Sequence, residues 1–198
     1  MFVRDLILQN RSRRRFDQGV RMEMDTLEGL VDLARHSASA RNLQPLKYIL
    51  SNDPDVNEKI FETLAWAVDL PDWPGPAPGE RPAAYIIILG DTALAESFDC
   101  DCGIAAQSMM IGAVEKGFGG CMLGSIQRKE LRRALDVPEG FKILLALALG
   151  KPKEKVVVET VPKAGEIENC RYWRDENGVH HVPKRPLSEL TAARFTAG

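Results

Sequence analysis

The sequence predicts a layered α+β fold, on three observations. Helix patterns outnumber strand patterns, and the strands do not alternate regularly with the helices. No Gly-x-Gly-x-x-Gly follows a strand, so a doubly wound dinucleotide-binding sheet is not supported. The 198 residues suffice for one ordinary domain with a sizeable core.

The elements follow in order. An amphipathic start covers residues 2–8. Asp25 and Glu28 form a capping-box pattern that opens a helix ending at Arg35. Leu27, Leu30, Val31 and Ala34 recur there at helical spacing, so the helix buries one stripe. Residues 47–51 read as a strand. Asp53-Pro54-Asp55 opens a second helix, with Val56, Ile60, Leu64 and Val68 in register and Trp66 on it. Residues 71–82 hold too many prolines and glycines for a regular element, and this loop carries Trp73. Residues 85–89 form a fully buried strand. Residues 103–115 are apolar on nearly all faces and predict a central buried helix ended by Gly117. Ser125 is placed to cap a helix over 128–135, with Leu131 and Leu135 inward. Residues 143–149 form a second buried strand, and a tail of weaker periodicity starts at 156–158.

Charge and cysteine usage narrow the function. Net charge is −2, which predicts no general attraction to nucleic acid or membrane. The longest apolar runs, 83–89 and 143–149, are too short to span a bilayer. Arg4 and Asp5 interrupt the N-terminal apolar run, unlike a signal peptide, so a cytoplasmic location is expected. Cys100 and Cys102 form Cys-x-Cys, with His180 and His181 far downstream. That is not paired zinc spacing, so no metal is expected, nor is a disulfide framework. Cys121 lies in an apolar turn and reads as a small core hydrophobe.

Two polar segments stand out. Residues 37–48 join the first helix to the first strand and contain Ser39, Ala40, Asn42, Gln44 and Pro45. Small side chains allow close backbone approach to a ligand. The amides of Asn42 and Gln44 offer paired donors and acceptors suited to a heterocycle edge. Pro45 disfavours helix at Gln44 and sets the turn into the strand. Residues 10–17 place Arg11, Arg13, Arg14 and Arg15 around Ser12, a set suited to a phosphate. Read alone, the first segment is a polar connector, and the second is a basic surface patch or a nucleic-acid contact. A nucleic-acid contact would need aromatic-basic interleaving that the chain lacks.

Taken in order along the chain, these motifs resemble the FMN-dependent nitroreductase family. Arg11, Ser12, Arg14 and Phe16 match its Arg-Ser-x-Arg-x-Phe. Ser39, Asn42, Gln44 and Pro45 match its Pro-Ser-Ser-x-Asn-x-Gln-Pro, with Ala38 and Ala40 replacing the Pro and one Ser. Residues 101–107, starting Asp101-Cys102-Gly103, lead to a glycine-rich segment at 117–124, similar to the family's central helix and flavin loop. Residues 147–152 are similar to its core strand and Gly-x-Pro exit. The resemblance covers nearly the whole chain.

The resemblance implies a mixed β-sheet flanked by helices, and an obligate homodimer holding FMN at its interface. It implies one domain over 1–165 and a C-terminal arm over 166–198 that wraps the partner. The arm's Tyr172, Trp173 and Phe195 need a larger surface to bury against. Packing on the arm's own subunit serves that need equally on sequence alone. Arg11, Ser12 and Arg14 would hold FMN within one subunit, with Arg14 near the pyrimidine end of the flavin. Ser39, Ala40, Asn42 and Gln44 would reach it from the other. Met122, Leu123, Gly124 and Ser125 would flank the flavin face, and Lys184 and Arg185 would contact the phosphate. Asn10 stands where the family often has a phosphate-binding arginine. Trp66 and Trp73 are candidate walls of the substrate pocket. The implied activity is FMN-dependent oxidation of NADH or NADPH with reduction of nitroaromatic, quinone or similar acceptors, by ping-pong hydride transfer. A flavin-binding storage or redox-sensing module without turnover is the alternative. Specialised flavin chemistry, such as dehalogenation or flavin destruction, shares the same fold.

Overall fold

The computed structural model describes residues 2–161 and 170–197. In chain order the elements are α1 (Val3–Gln9), β1 (Phe16–Asp17), α2 (Met24–Arg35), a 3-10 turn (Ala40–Asn42), β2 (Leu46–Ser51), α3 (Pro54–Glu62), β3 (Ala84–Asp91), α4 (Asp99–Glu115), β4 (Gly119–Leu123), α5 (Arg128–Ala134), β5 (Phe141–Pro152), β6 (Val156–Thr160), β7 (Trp173–Arg174), β8 (His180–Lys184) and α6 (Leu187–Leu190).

The main sheet grows outward from β3 and β5. Its order is β1-β5-β3-β2, with β4 also paired to β5. All its ladders are antiparallel. Parallel pairing enters this region through one isolated bridge, Ser12 to Gly120. Successive β3 side chains point to opposite faces. Ala84, Ile86 and Ile88 meet Leu27 and Leu30 of α2 and Ala106, Met109 and Met110 of α4. Tyr85, Ile87 and Leu89 meet Ile60 of α3, Leu131 of α5 and Trp66. The result is a layered α+β fold whose sheet is covered on both faces. That is why residues 85–89 read as one unbroken apolar run. Beyond the end of β4, one edge of β5 is covered by arginines. Arg128 donates to the carbonyls of Ile143 and Leu144, and Arg132 to that of Phe141.

Several local expectations are corrected. Asp25 lies inside α2, whose N-cap is Glu23 without a side-chain cap bond. Asp25 therefore acts on the first-turn amides as a charge rather than as a cap. Asp53 does cap α3, accepting from Val56 N–H at 2.9 Å. That helix stops at Glu62, because Thr63 and Ala65 turn away to pair with Gln127 and Ser125. Trp66 is thus off the helix, and Val68 is 85% exposed. Ser125 does not cap α5, whose N-cap is Gln127. Cys121 is buried as expected, but on strand β4 rather than in a turn. The central helix is α4, and Gly117 follows it at φ 76°. One of its faces is open: Ile104 is 40% exposed. Strands outnumber helices among the described residues.

The chain divides into two compact units, residues 1–66 with 73–153, and residues 67–72 with 154–198. The boundary expected at 165 and 166 lies outside the described residues. In the smaller unit β8 pairs parallel with β6 and antiparallel with β7. Its interior holds a Glu154–Arg174 ion pair at 3.3 Å. His181 bridges Glu159 and Asp175 and stacks on Trp173 at 4.0 Å between ring centres. Both carboxylates raise the His181 pKa. Among the described residues no helix is long and apolar enough to cross a membrane.

Candidate functional site

The arginine-rich segment is fastened to the glycine-rich strand. Arg13 N–H donates to the Gly120 carbonyl at 2.8 Å, and Ser12 bridges the same glycine. Gly120 permits this approach. A Cβ there would stand 2.1 Å from the Ala148 carbonyl oxygen of β5. Phe16 anchors the far end of the segment, fully buried. Two sequence-predicted groups therefore come together: Arg11, Ser12 and Arg14 beside the strand that runs into residues 122–125.

The four arginines are not equivalent. Arg15 pairs with Glu80 through two hydrogen bonds of 2.6 and 2.7 Å. Lys153 also approaches Glu80, at 3.3 Å. The Arg15 hydrogen bond, helped by Lys153, holds the Glu80 carboxyl down at about 2. Arg11 and Arg13 line a cavity of about 260 Å³ with Lys151, against the turn at 117–119. Arg11 Nη2 donates to the Ile7 carbonyl at 2.6 Å, while its Nε is buried with no hydrogen-bond partner among the described residues. Arg14 is half-buried and Ser12 exposed. Asn10 Nδ2 donates to Gln107 Oε1 of α4 at 3.4 Å.

An acid-pH prediction arises from Glu80. Its pKa is lowered on folding, so its contribution to stability is complete above the ordinary value near 4.5. That contribution is lost as pH falls toward about 2. Urea midpoints should drop over that interval in the wild type and drop less in Glu80→Gln. Equal pH slopes would show that the pair does not anchor the segment.

At residues 122–125, Leu123 is buried whereas Met122, Gly124 and Ser125 are exposed. The Ser125 carbonyl accepts from Ala65 N–H at 3.0 Å, and that of Gly124 from Arg128 at 3.3 Å. The turn after β4 is thus held from below, with its outer surface open.

The second polar loop is held by α4. Asp101, only 6% exposed, accepts from Ser39 Oγ at 2.8 Å and from Ala40 N–H at 2.9 Å. Ser39 Oγ in turn accepts from Gln44 N–H at 2.9 Å. The Ser39 hydroxyl is therefore engaged within its own chain, while Asn42 and Gln44 are exposed. Arg41, Asn42 and Gln44 take left-handed φ values of 53, 56 and 50°. Tyr48 lies near this network, and burial, then Cys102 and Asp101, push its hydroxyl up to about 12.

The remaining candidates lie elsewhere. Trp66 is a core residue rather than a pocket wall: it is 8% exposed and packs on Phe61 at 5.6 Å. Trp73 is partly buried against the same core. Lys184 ends β8 in the smaller unit, and Arg185 pairs with Glu189 at 3.8 Å. Asp101, Arg15 and Glu80 carry roles the sequence reading did not give them. The usable signal was at Asp101, a carboxylate in the first turn of a largely apolar helix. Among the described residues no group of three or more His, Cys, Asp or Glu side chains could hold a metal ion.

Comparison with known proteins agrees with this architecture. The model of the Nitroreductase family matches residues 7–151. The Archaeoglobus fulgidus protein named "Putative NADH dehydrogenase/NAD(P)H nitroreductase" is 27% identical over 139 residues, 66% of this chain and 75% of that protein. A nitroreductase family protein from Clostridium difficile 630 superposes with a TM-score of 0.69 at 19% identity, covering 99% of each chain. An FMN-dependent nitroreductase from Clostridium difficile R20291 superposes at 0.62 and 19% identity, covering 83% of this chain and 92% of that one. At these identities the superpositions bear on the fold.

Proposed function

The chain belongs to the nitroreductase family, and from that premise we propose that it is an FMN-dependent NAD(P)H oxidoreductase working as a homodimer. Its acceptors would be nitroaromatics, quinones or similar small molecules. The observation that supports the reading is the docking of residues 11–14 onto Gly120, which fastens the arginine-bearing segment to the strand leading into the open turn at 122–125. The name of one structural neighbour adds FMN, and that of the curated relative adds NAD(P)H.

The residues present suit FMN. Arg11, Arg13 and Lys151 line a cavity of phosphate-binding character, and Arg11 Nε is a buried donor awaiting an acceptor. Ser12 adds an exposed hydroxyl. Arg14 would sit toward the pyrimidine end of the flavin, where a fixed guanidinium favours the negative charge gained on reduction. The exposed turn at 122–125 would lie along the ring and exclude water from that side. Ala40, Asn42 and Gln44 would come from the second subunit. Ser39 would serve by shaping that loop, since its hydroxyl is already engaged. The family resemblance alone assigns Lys184 and Arg185 to the phosphate. When bound, the flavin supplies the hydride chemistry, so the protein needs no nucleophile or acid-base pair of its own.

Exposed apolar surface supports the dimer. Phe2, at the N-cap of α1, and Val3, Ile7 and Leu8 within it are between 44% and 85% exposed, and Ile104 on α4 is 40% exposed. The two helices touch through Asn10 and Gln107, so these side chains border one region. A patch of that kind marks a protein interface.

Purified protein should be yellow, with about one FMN per subunit. NADH or NADPH should bleach the flavin rapidly, and an acceptor such as a benzoquinone should restore it. Slow bleaching with intact binding would favour storage or sensing. A colourless protein that takes up no added FMN would sink the reading.

A further inference from the structure

Three of the four residues at 41–44 hold a backbone conformation that residues with side chains rarely adopt. Such strain persists only where surrounding structure over-determines it. Here the constraint is a relay from one buried carboxylate. Asp101 accepts from Ser39 Oγ and Ala40 N–H, at 2.8 and 2.9 Å, and Ser39 Oγ takes Gln44 N–H at 2.9 Å. The relay clamps both ends of the loop, and the exposed residues Arg41 and Asn42 lie between the clamps.

We propose that Asp101 is a positioning residue that holds residues 39–44 in the strained shape presenting Asn42 to the flavin of the second subunit. The inference rests on the proposed function for its ligand, and on this chain's hydrogen bonds for its mechanism. A carboxylate suits the task because both its oxygens accept. Each incoming group, a hydroxyl and a backbone amide, donates. An amide in its place offers one accepting oxygen, so one of the two incoming donors loses its acceptor. Burial sharpens the demand, since Asp101 has almost no water to replace a lost partner. The Ser39 hydroxyl has one proton and gives it to Asp101. It cannot also donate to a ligand without releasing the clamp.

A double-mutant cycle tests this, with FMN affinity of the apoprotein read by flavin fluorescence. Asp101→Asn should weaken FMN roughly tenfold or more, and Asn42→Ala should weaken it as well. The double variant should bind no worse than Asn42→Ala within about twofold, because Asp101 acts through that loop. Fully additive losses would overturn the proposal and make Asp101 a general support of the fold. Ser39→Ala leaves the carboxylate paired to Ala40 and should shift affinity in the same direction, which guards against an Asp101 variant that fails to fold. Backbone amide exchange at Ala40 and Gln44, measured without FMN, should be slow in the wild type and accelerated in Asp101→Asn. Unchanged exchange would overturn the clamp. Wild-type protein that takes up no FMN would instead sink the proposed function, and the exchange measurement would still decide whether Asp101 holds the loop.

Discussion

Gly120→Ala should lower the melting temperature by several degrees and strip the protein of its flavin. The new Cβ would lie 2.1 Å from the Ala148 carbonyl oxygen and 2.9 Å from Leu149 Cδ2. The first obstacle is backbone, so no side chain can swing aside to relieve it. Strand β4 must shift away from β5 instead. Overpacking of this kind costs about 1–3 kcal/mol, occasionally more. For a chain of this length that is about 2–12 °C. The functional loss should exceed the loss of stability. Gly120 also receives Arg13 N–H and bridges Ser12, so the whole cationic segment moves with it. Gly140→Ala, outside the proposed site, provides the control. A Cβ there meets nothing within 4 Å, and the change should stay within about 0.5 kcal/mol. Both variants would be checked by thermal melts and by the absorbance of bound FMN. A Gly120→Ala protein with wild-type melting and full flavin would show that β4 tolerates separation from β5.

The buried strands and the cores of the longer helices were legible because they satisfy one simple pattern each. Residues 85–89 and 143–149 are apolar without interruption, and both sit in a sheet covered on two faces. The ends of elements were less legible. The end of α3 depends on backbone pairing of Thr63 and Ala65 with residues 125–127, which are remote in sequence. Strand β4 was hidden because Gly119 and Gly120 read as loop. Gly120 is a glycine because β5 approaches too closely there for a side chain, and Gly119 packs tightly on Pro152 and Arg13. The site divides in the same way. Residue types announced themselves at Arg11, Ser12, Asn42 and Gln44. What no local pattern carried was the assignment of partners. Arg15 goes to Glu80 across 65 positions, and Ser39 to Asp101 across 62. A run of four cations looks uniform in sequence and becomes differentiated only when the fold supplies one carboxylate.

Arg14→Ala should lower the two-electron midpoint potential of the bound flavin by roughly 30–60 mV. The sign follows from charge. Reduction adds negative charge at the pyrimidine end, and a nearby guanidinium stabilises the reduced form more than the oxidised one. Removing it makes reduction harder and the potential more negative. The magnitude takes a charge-assisted contact as about 1.5–3 kcal/mol. For a two-electron couple about 30 mV corresponds to 1.4 kcal/mol. Arg14 is singled out because the family resemblance sets it near the pyrimidine end of the flavin, and its neighbours serve other groups. Arg15 is bound to Glu80, while Arg11 and Arg13 face the cavity shared with Lys151. The contrast with Arg11→Ala is therefore informative. That variant should cost roughly ten- to a hundred-fold in FMN affinity with little change in potential, as expected of a phosphate contact. Potentiometric titration of both variants, with affinities measured in parallel, separates the two roles. A potential unchanged or raised in Arg14→Ala would remove that guanidinium from the flavin's electron-accepting end. Phosphate binding would then be the whole contribution of residues 11–14.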